Sequence, residues 1–187
     1  KKDVSLVMNM VAKSHHRGPD GRGTWHDEFV TLGHNLLSIV DEPTESLQPW
    51  NHNNLIVVFN GEIYNYKELG GLAIYFKKEK QLLLARDSNG TKPVYYGFDK
   101  QFNICFSSEI KALLEIGFER KLCKSAFAHY QKAGYNSGYL TLFEGIQKLV
   151  PGEVRTYDVI ESNVINQRNL NNYKYTYHHT HEIRDRV

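Results

Sequence analysis

The chain has 187 residues, 41% of them hydrophobic and 12% aromatic, enough for one substantial core and too apolar for global disorder. Its formal net charge is +2, with bases and acids interspersed, so neither nucleic acid nor an anionic membrane is expected as a partner. No apolar run approaches a membrane span, no signal-peptide core follows Lys1-Lys2-Asp3, and the two cysteines form no disulfide framework, which together favour the cytoplasm.

In chain order, Val4, Leu6, Val7, Met10 and Val11 lie on a helical stripe over residues 4–13, with Asp3 placed to cap it. Gly18 and Pro19 end that helix. Residues 24–31 and 33–40 are expected as paired short strands, and 43–49 as loop. Residues 55–59 read as a strand buried on both faces. Residues 72–76 and 81–85 are expected to pair across Lys77-Lys78-Glu79-Lys80, the densest basic run, read as a solvated turn. A second hairpin, 94–98 with 102–106, crosses Asp99-Lys100 and makes Cys105 a core thiol. Ser108 and Glu109 then open a helix that runs to about Ile116. Cys123 follows Arg120-Lys121, cations that would lower its pKa, but no base accompanies it.

Two places read oddly. No strand precedes the first helix, and Lys67-Glu68-Leu69-Gly70-Gly71-Leu72 runs a polar helix start straight into a core strand. From Asn163 onward the chain is rich in Asn and Tyr and carries His178, His179 and His181. Without an adjacent Cys or carboxylate to complete a ligand set, this reads as a solvated linker and no metal site is expected.

The most informative stretch is Phe59-Asn60-Gly61-Glu62-Ile63-Tyr64-Asn65-Tyr66, directly after the apolar run Leu55-Ile56-Val57-Val58. A strand end is a rigid platform from which polar groups are aimed at a ligand. The Asn60 carboxamide and the Gly61 N–H can donate to one oxygen, as in an oxyanion hole, and Glu62 can hold a cationic group. The same Asn-Gly dipeptide equally suits a plain hairpin turn.

Four more segments accompany it: His16-Arg17-Gly18-Pro19-Asp20-Gly21, Leu37-Ser38-Ile39-Val40-Asp41, Ala85-Arg86-Asp87 through Gly90 to Lys92-Pro93-Val94-Tyr95-Tyr96, and Ser108-Glu109-Ile110-Lys111-Ala112-Leu113. Their order and identity resemble the N-terminal glutaminase domain of glutamine-hydrolysing asparagine synthetases. Those domains are class II glutamine amidotransferases of the N-terminal-nucleophile (Ntn) hydrolase type. The resemblance runs from about His15 to Gly152 and implies an α+β fold, a four-layer αββα sandwich with two mainly antiparallel sheets between helices. Residues 1–162 would form that domain. Residues 163–187 would be a linker and the first helix of a C-terminal ATP-dependent synthetase domain.

In the resembled family a strand opens the domain. A few tens of residues, holding a helix and an Asp-containing loop of the glutamine site, separate the elements that meet here at 70–71. The chain is therefore expected to lack its N-terminal strand and a segment near 70–71, through disorder, truncation or deletion. ATP and Mg2+ would belong to the C-terminal domain, with no cofactor in these residues. Glutamine and aspartate, or another carboxylic acid, are the implied substrates, and a homodimer the implied assembly.

By resemblance, an N-terminal cysteine thiolate attacks the glutamine side-chain amide, with its own α-amino group as base. Asn60 and Gly61 would stabilise the oxyanion, Glu62 would receive the substrate α-amino group, and Ser38 would sit in the substrate site. The chain starts at Lys1 and holds no Cys-Gly start, so the nucleophile is expected outside these residues. Leu36 occupies the position of the family's arginine clamp for the glutamine α-carboxylate. Leucine forms no bidentate pair with a carboxylate, and leaving that group unpaired costs about 2–5 kcal/mol, some 30- to 4000-fold in affinity. Asn35 offers one neutral hydrogen bond in its place. Arg17 with Asp20 suits a turn-stabilising pair, Arg86 and Asp87 suit backbone contacts or a mutual pair, and Glu109 suits its helix N-terminus. Three functions fit: an active glutaminase feeding ammonia to ATP-dependent amide synthesis, a degenerate one scaffolding a ligase that uses ammonia or another amine, and a non-enzymatic module of the same fold.

Overall fold

The computed structural model describes residues 4–39, 46–61 and 70–170. Helix α1 (Val4–Lys13) forms on the expected stripe and leads through a 3-10 turn, His15–Arg17, into β1 (Gly21–His26). This strand pairs antiparallel with β2 (Thr31–Leu36), Gly21 opposite Leu36. The connection is closed by Asp27, whose Oδ1 accepts the N–H groups of Phe29 and Val30, each at 2.8 Å. The hairpin is thus earlier and its strands shorter than the expected spans, because Asp27 makes an Asx-type turn where the sequence pattern alone continued a strand. Asp3 and residues 40–45 lie outside the described residues.

Next come β3 (Trp50–His52), β4 (Leu55–Asn60), β5 (Gly71–Phe76) and β6 (Gln81–Arg86). The second hairpin is β7 (Tyr95–Phe98) with β8 (Ile104–Ser107), followed by α2 (Ile110–Glu115). The chain continues through α3 (Lys124–Ala133), β9 (Gln147–Lys148), β10 (Glu153–Asp158) and β11 (Asn163–Asn169). One six-stranded sheet has the order β11-β10-β6-β5-β4-β3, every pairing antiparallel; the small sheets are β1-β2 and β8-β7-β9.

The core lies between the large sheet and the small ones. Ile56, Val58, Ala73, Tyr75, Leu82 and Leu84 share one face of the large sheet and pack with Val30, Leu32, Val94 and Tyr96. Outside the small sheets, α1 packs on β2 and α2, and α2 on β8. The fold is therefore α+β and layered, with antiparallel sheets, in agreement with the expected sandwich. The opposite face of the large sheet carries the register row Val57–Ile74–Leu83, apolar and only half-buried.

Two expectations change. Residues 163–169, expected as the start of a linker, form the edge strand β11 on β10. Its polar sequence hides it, since an edge strand exposed on both faces needs no apolar alternation. Gly71 opens β5 opposite Asn60, and the Gly70 carbonyl accepts from Asp87 N–H at 3.2 Å. The Lys77–Lys80 turn is also less solvated than expected, for Lys80 Nζ lies 4.4 Å above the Phe29 ring.

Candidate functional site

The site is built at the end of β4. Its outer neighbour β3 stops with Trp50 opposite Val57, so Phe59 has a strand only on its β5 side. The Phe59 N–H is donated to Gln48 Oε1 at 2.6 Å. His34 lies on β2 of another sheet. Burial holds its pKa below the ordinary value, and the nearby Phe59 backbone opposes that only in part, so the imidazole is neutral near pH 7.

Asn60 follows. Its Nδ2 is buried with no hydrogen-bond partner among the described residues. Gly61 and Gly70 then touch: a Cβ on Gly61 would lie 2.9 Å from the Gly70 Cα, and one on Gly70 would overlap the Asn60 carbonyl oxygen at 2.0 Å. Only glycine permits that approach of backbones.

A cleft of about 990 Å3 runs from this strand end. Leu6, Val7, Met10 and Val11 of α1 cover it, and Val58 and Leu82 of the large sheet form its floor. Its sides are Thr31–Asn35 of β2 and Ile104–Ser107 of β8, each an edge strand of its own sheet. The Ser14, Thr31, His34, Asn35 and Asn60 side chains in its walls each hold a buried polar atom without a partner. An apolar slot flanked by two strand edges and dotted with unsatisfied polar atoms suits an extended chain or a polar ligand.

The residues expected from sequence separate into groups. Asn60 lines the cleft with Gly61 directly after it. Leu36 is buried at the end of β2, its Cβ about 3.5 Å from where a Gly21 Cβ would sit, and is not part of the cleft wall. Ser38 donates its backbone N–H to Asp20 Oδ2 at 2.8 Å. Glu62 lies outside the described residues, as do His178, His179 and His181. Among the described residues no cluster of His, Cys, Asp and Glu suits a metal ion.

Asn35 is no substitute for the arginine, because its Nδ2 is already donated to the Val11 carbonyl at 2.8 Å. Arg17 and Asp20 do not pair: Arg17 lies 3.7 Å from Glu109 Oε1, and Asp20 holds the Ser38 backbone. Glu109 makes no side-chain cap bond to α2; its carboxylate gathers His16, Lys111 and Arg17 instead. Arg86 donates to the carbonyls of Gly90, Lys92 and Leu149, while Asp87 accepts from Thr91, so both stabilise turns. Cys105 is half-buried and donates to the Asn103 carbonyl. The Cys123 pKa is lowered chiefly by the Ser125 hydroxyl and the Ala126 N–H at the start of α3, rather than by Arg120 and Lys121.

Sequence reasoning missed His34 and Gln48. A lone histidine within a strand and a glutamine in a loop carry no pattern of their own; the available signal was their position beside matched motifs.

Comparison with known proteins follows from this geometry. The family model described as "Glutamine amidotransferase domain" matches residues 1–71 and, separately, 70–171. The chain is 28% identical to asparagine synthetase [glutamine-hydrolyzing] 1 of Bacillus subtilis, over 79% of its own length and 29% of the relative's. It is 27% identical to a putative asparagine synthetase [glutamine-hydrolyzing] 2 of Methanocaldococcus jannaschii, over 81% and 40% respectively. It is 29% identical to amidase chry2 of Gibberella zeae, over 80% and 27%. The chain thus spans well under half the length of these relatives. The alignments extend over 187 to 210 positions while taking in about four-fifths of this 187-residue chain, so the relatives carry tens of residues it lacks inside the matched region. Among the described residues no helix is long and apolar enough to cross a membrane.

Proposed function

This chain belongs to the glutamine amidotransferase domain family, and from that membership we propose that it hydrolyses the side-chain amide of glutamine and supplies ammonia to ATP-dependent amide formation on aspartate or a related acid. The observation that carries the reading is the strand end at Asn60-Gly61. An amide donor with no partner among the described residues stands in the wall of a large cleft, beside a glycine whose N–H bears no side chain to shield it. Two such donors stabilise the oxygen of a tetrahedral intermediate without having to reorganise.

The nucleophile in this reading is a cysteine thiol on an extended segment lying between β2 and β8. Both strands offer an edge to the cleft, and a strand placed there would join the two small sheets. Sulfur adds to the amide carbon and the C=O pair moves onto oxygen, where Asn60 and Gly61 hold it. Collapse breaks the C–N bond; the nitrogen leaves as ammonia with a proton from the α-amino group, and water then cleaves the thioester to glutamate. Glu62 receives the substrate's α-amino group.

Leu36 supports a second reading, a domain with a weakened glutamine grip. It is buried away from the cleft, and Arg17, a cation in the cleft wall, is engaged by Glu109. The test compares glutamine with free ammonia as nitrogen source in the full-length protein with ATP and candidate acids. Glutamine-dependent synthesis accompanied by glutamate release supports the glutaminase. Synthesis from ammonia alone, with no glutamate released, leaves the weakened domain as the reading.

A further inference from the structure

The strand that ends at Asn60 is paired unevenly, and a side chain fills the gap. On its outer edge β3 accompanies β4 only as far as Trp50 opposite Val57. One edge of a strand presents its polar groups at every second residue, so Phe59 is the next to need a partner there. The same register, carried two residues back from Trp50 and two on from Val57, would bring Gln48 opposite Phe59. The chain turns out of the ladder instead. A Cβ on Gly23 of β1 would overlap the Gln48 carbonyl oxygen at 1.8 Å, so that carbonyl is pressed against β1, and Pro49 has no N–H to give. The Gln48 side chain reaches back across the gap: its Oε1 accepts the Phe59 N–H at 2.6 Å. Gln48 is buried, so this bond satisfies a backbone donor that would otherwise be costly to leave unpaired.

We propose that Gln48 is a positioning residue of the glutaminase site: its side-chain carbonyl stands in for the absent ladder partner of Phe59, and Phe59, so held, sets the aim of the Asn60 and Gly61 donors. This rests on the reading of Asn60 and Gly61 as oxyanion donors. Phe59 acts on both. It is the residue from which the Asn60 backbone starts, and its ring packs on Gly61, where a Cβ would lie 3.1 Å from the Phe59 Cζ.

Neither donor is anchored by its own side chain. The Asn60 Nδ2 has no partner among the described residues, and Gly61 has no side chain at all, which places the burden of alignment on the residue before them. The inner edge of the strand end is fixed by backbone alone, with Asn60 paired to Gly71 and Gly61 in contact with Gly70. On the outer edge Gln48 supplies the matching support, from a loop that β1 holds in place through Gly23.

The test uses the full-length protein with 15N-labelled phenylalanine and glycine. In Gln48→Leu, which keeps the bulk and loses the acceptor, the Phe59 amide is expected to exchange with solvent about tenfold or more faster, and the Gly61 amide resonance to move. In glutamine hydrolysis the same variant is expected to lose about 10- to 100-fold in kcat with KM within about twofold, since a misplacement near 1 Å is that costly. Gln48→Glu, which keeps an acceptor of the same reach, should recover part of the rate. Gln48→Asn, one methylene too short to reach Phe59, should behave as Gln48→Leu and serves if that variant does not fold. An unmoved Gly61 resonance in the folded variants, a loss confined to KM, or a lowered melting temperature with kcat unchanged would overturn the proposal. If the unmodified protein hydrolyses no glutamine, the proposed function fails, and the Phe59 exchange and the Gly61 resonance still decide whether Gln48 sets the strand end.

Discussion

Asn60 keeps a buried amide donor with no partner among the described residues, an arrangement that burdens stability. Asn60→Ala is therefore expected to leave urea stability unchanged or raise it by up to about 1 kcal/mol; a loss above that would mean the carboxamide is structural. Leu36 is the opposite kind of residue. It is 5% exposed at the end of β2, and Leu36→Ala should cost about 2–5 kcal/mol in the same measurement. His34 sets a pH signature. Burial depresses its pKa in the fold, so above its ordinary value of 6.5 neither state is protonated and the residue contributes nothing. As pH falls below 6.5 the unfolded chain takes up a proton that the folded chain refuses, and stability declines. His34→Gln should flatten that decline between pH 7 and 5 in thermal melts; an unchanged slope would assign it to other groups. At this scale the sequence showed Asn60, Gly61 and the leucine in place of arginine, because each sits inside a matched motif. It did not show His34, nor Gln48, whose partner is a backbone group on another strand.

Elements with a core face were legible, and those without one were not. The β5–β6 hairpin fell where its apolar alternation and the Lys77–Lys80 turn placed it, within a residue at each end. Helix α3, which buries only Ala126, and β11, exposed along most of its length, carry no such period and stayed hidden. The pairs β1–β2 and β8–β7 turn edges toward the cleft that no strand among the described residues fills. In the full-length protein the outward amides of β2 and β8 are expected to exchange about tenfold or more slowly than in these 187 residues alone. Equal exchange would leave the slot a solvent cleft. On the other side of β2, Gly23→Ala is expected to cost about 1–3 kcal/mol through the Gln48 carbonyl and to lower activity with it.

As a whole molecule, the chain matches one family model over nearly all of its described length. The family match divides at 70–71, the relatives carry tens of residues more within the aligned region, and the Val57–Ile74–Leu83 face of the large sheet is left half-exposed. The oddness of a helix start running into Gly70-Gly71 was visible in the sequence, while the pairing of Gly71 with Asn60 at the start of β5 was not. On the proposed reading, with Leu36 standing at the clamp position, glutamine should bind weakly. The full-length protein carrying Leu36→Arg is expected to show a KM for glutamine lowered by about 30-fold or more if the side chain reaches the site, and an unchanged KM if the buried position excludes it.

The account stands most directly on Asn60 as the donor to the developing oxyanion. The deciding measurement is steady-state glutamine hydrolysis by the full-length protein, unmodified and as Asn60→Ala, with folding of both checked by circular dichroism. The account predicts that the unmodified protein releases glutamate and ammonia in equal amounts, and that Asn60→Ala lowers kcat by about 100- to 1000-fold at nearly unchanged KM. Hydrolysis at the same kcat in both proteins would contradict it.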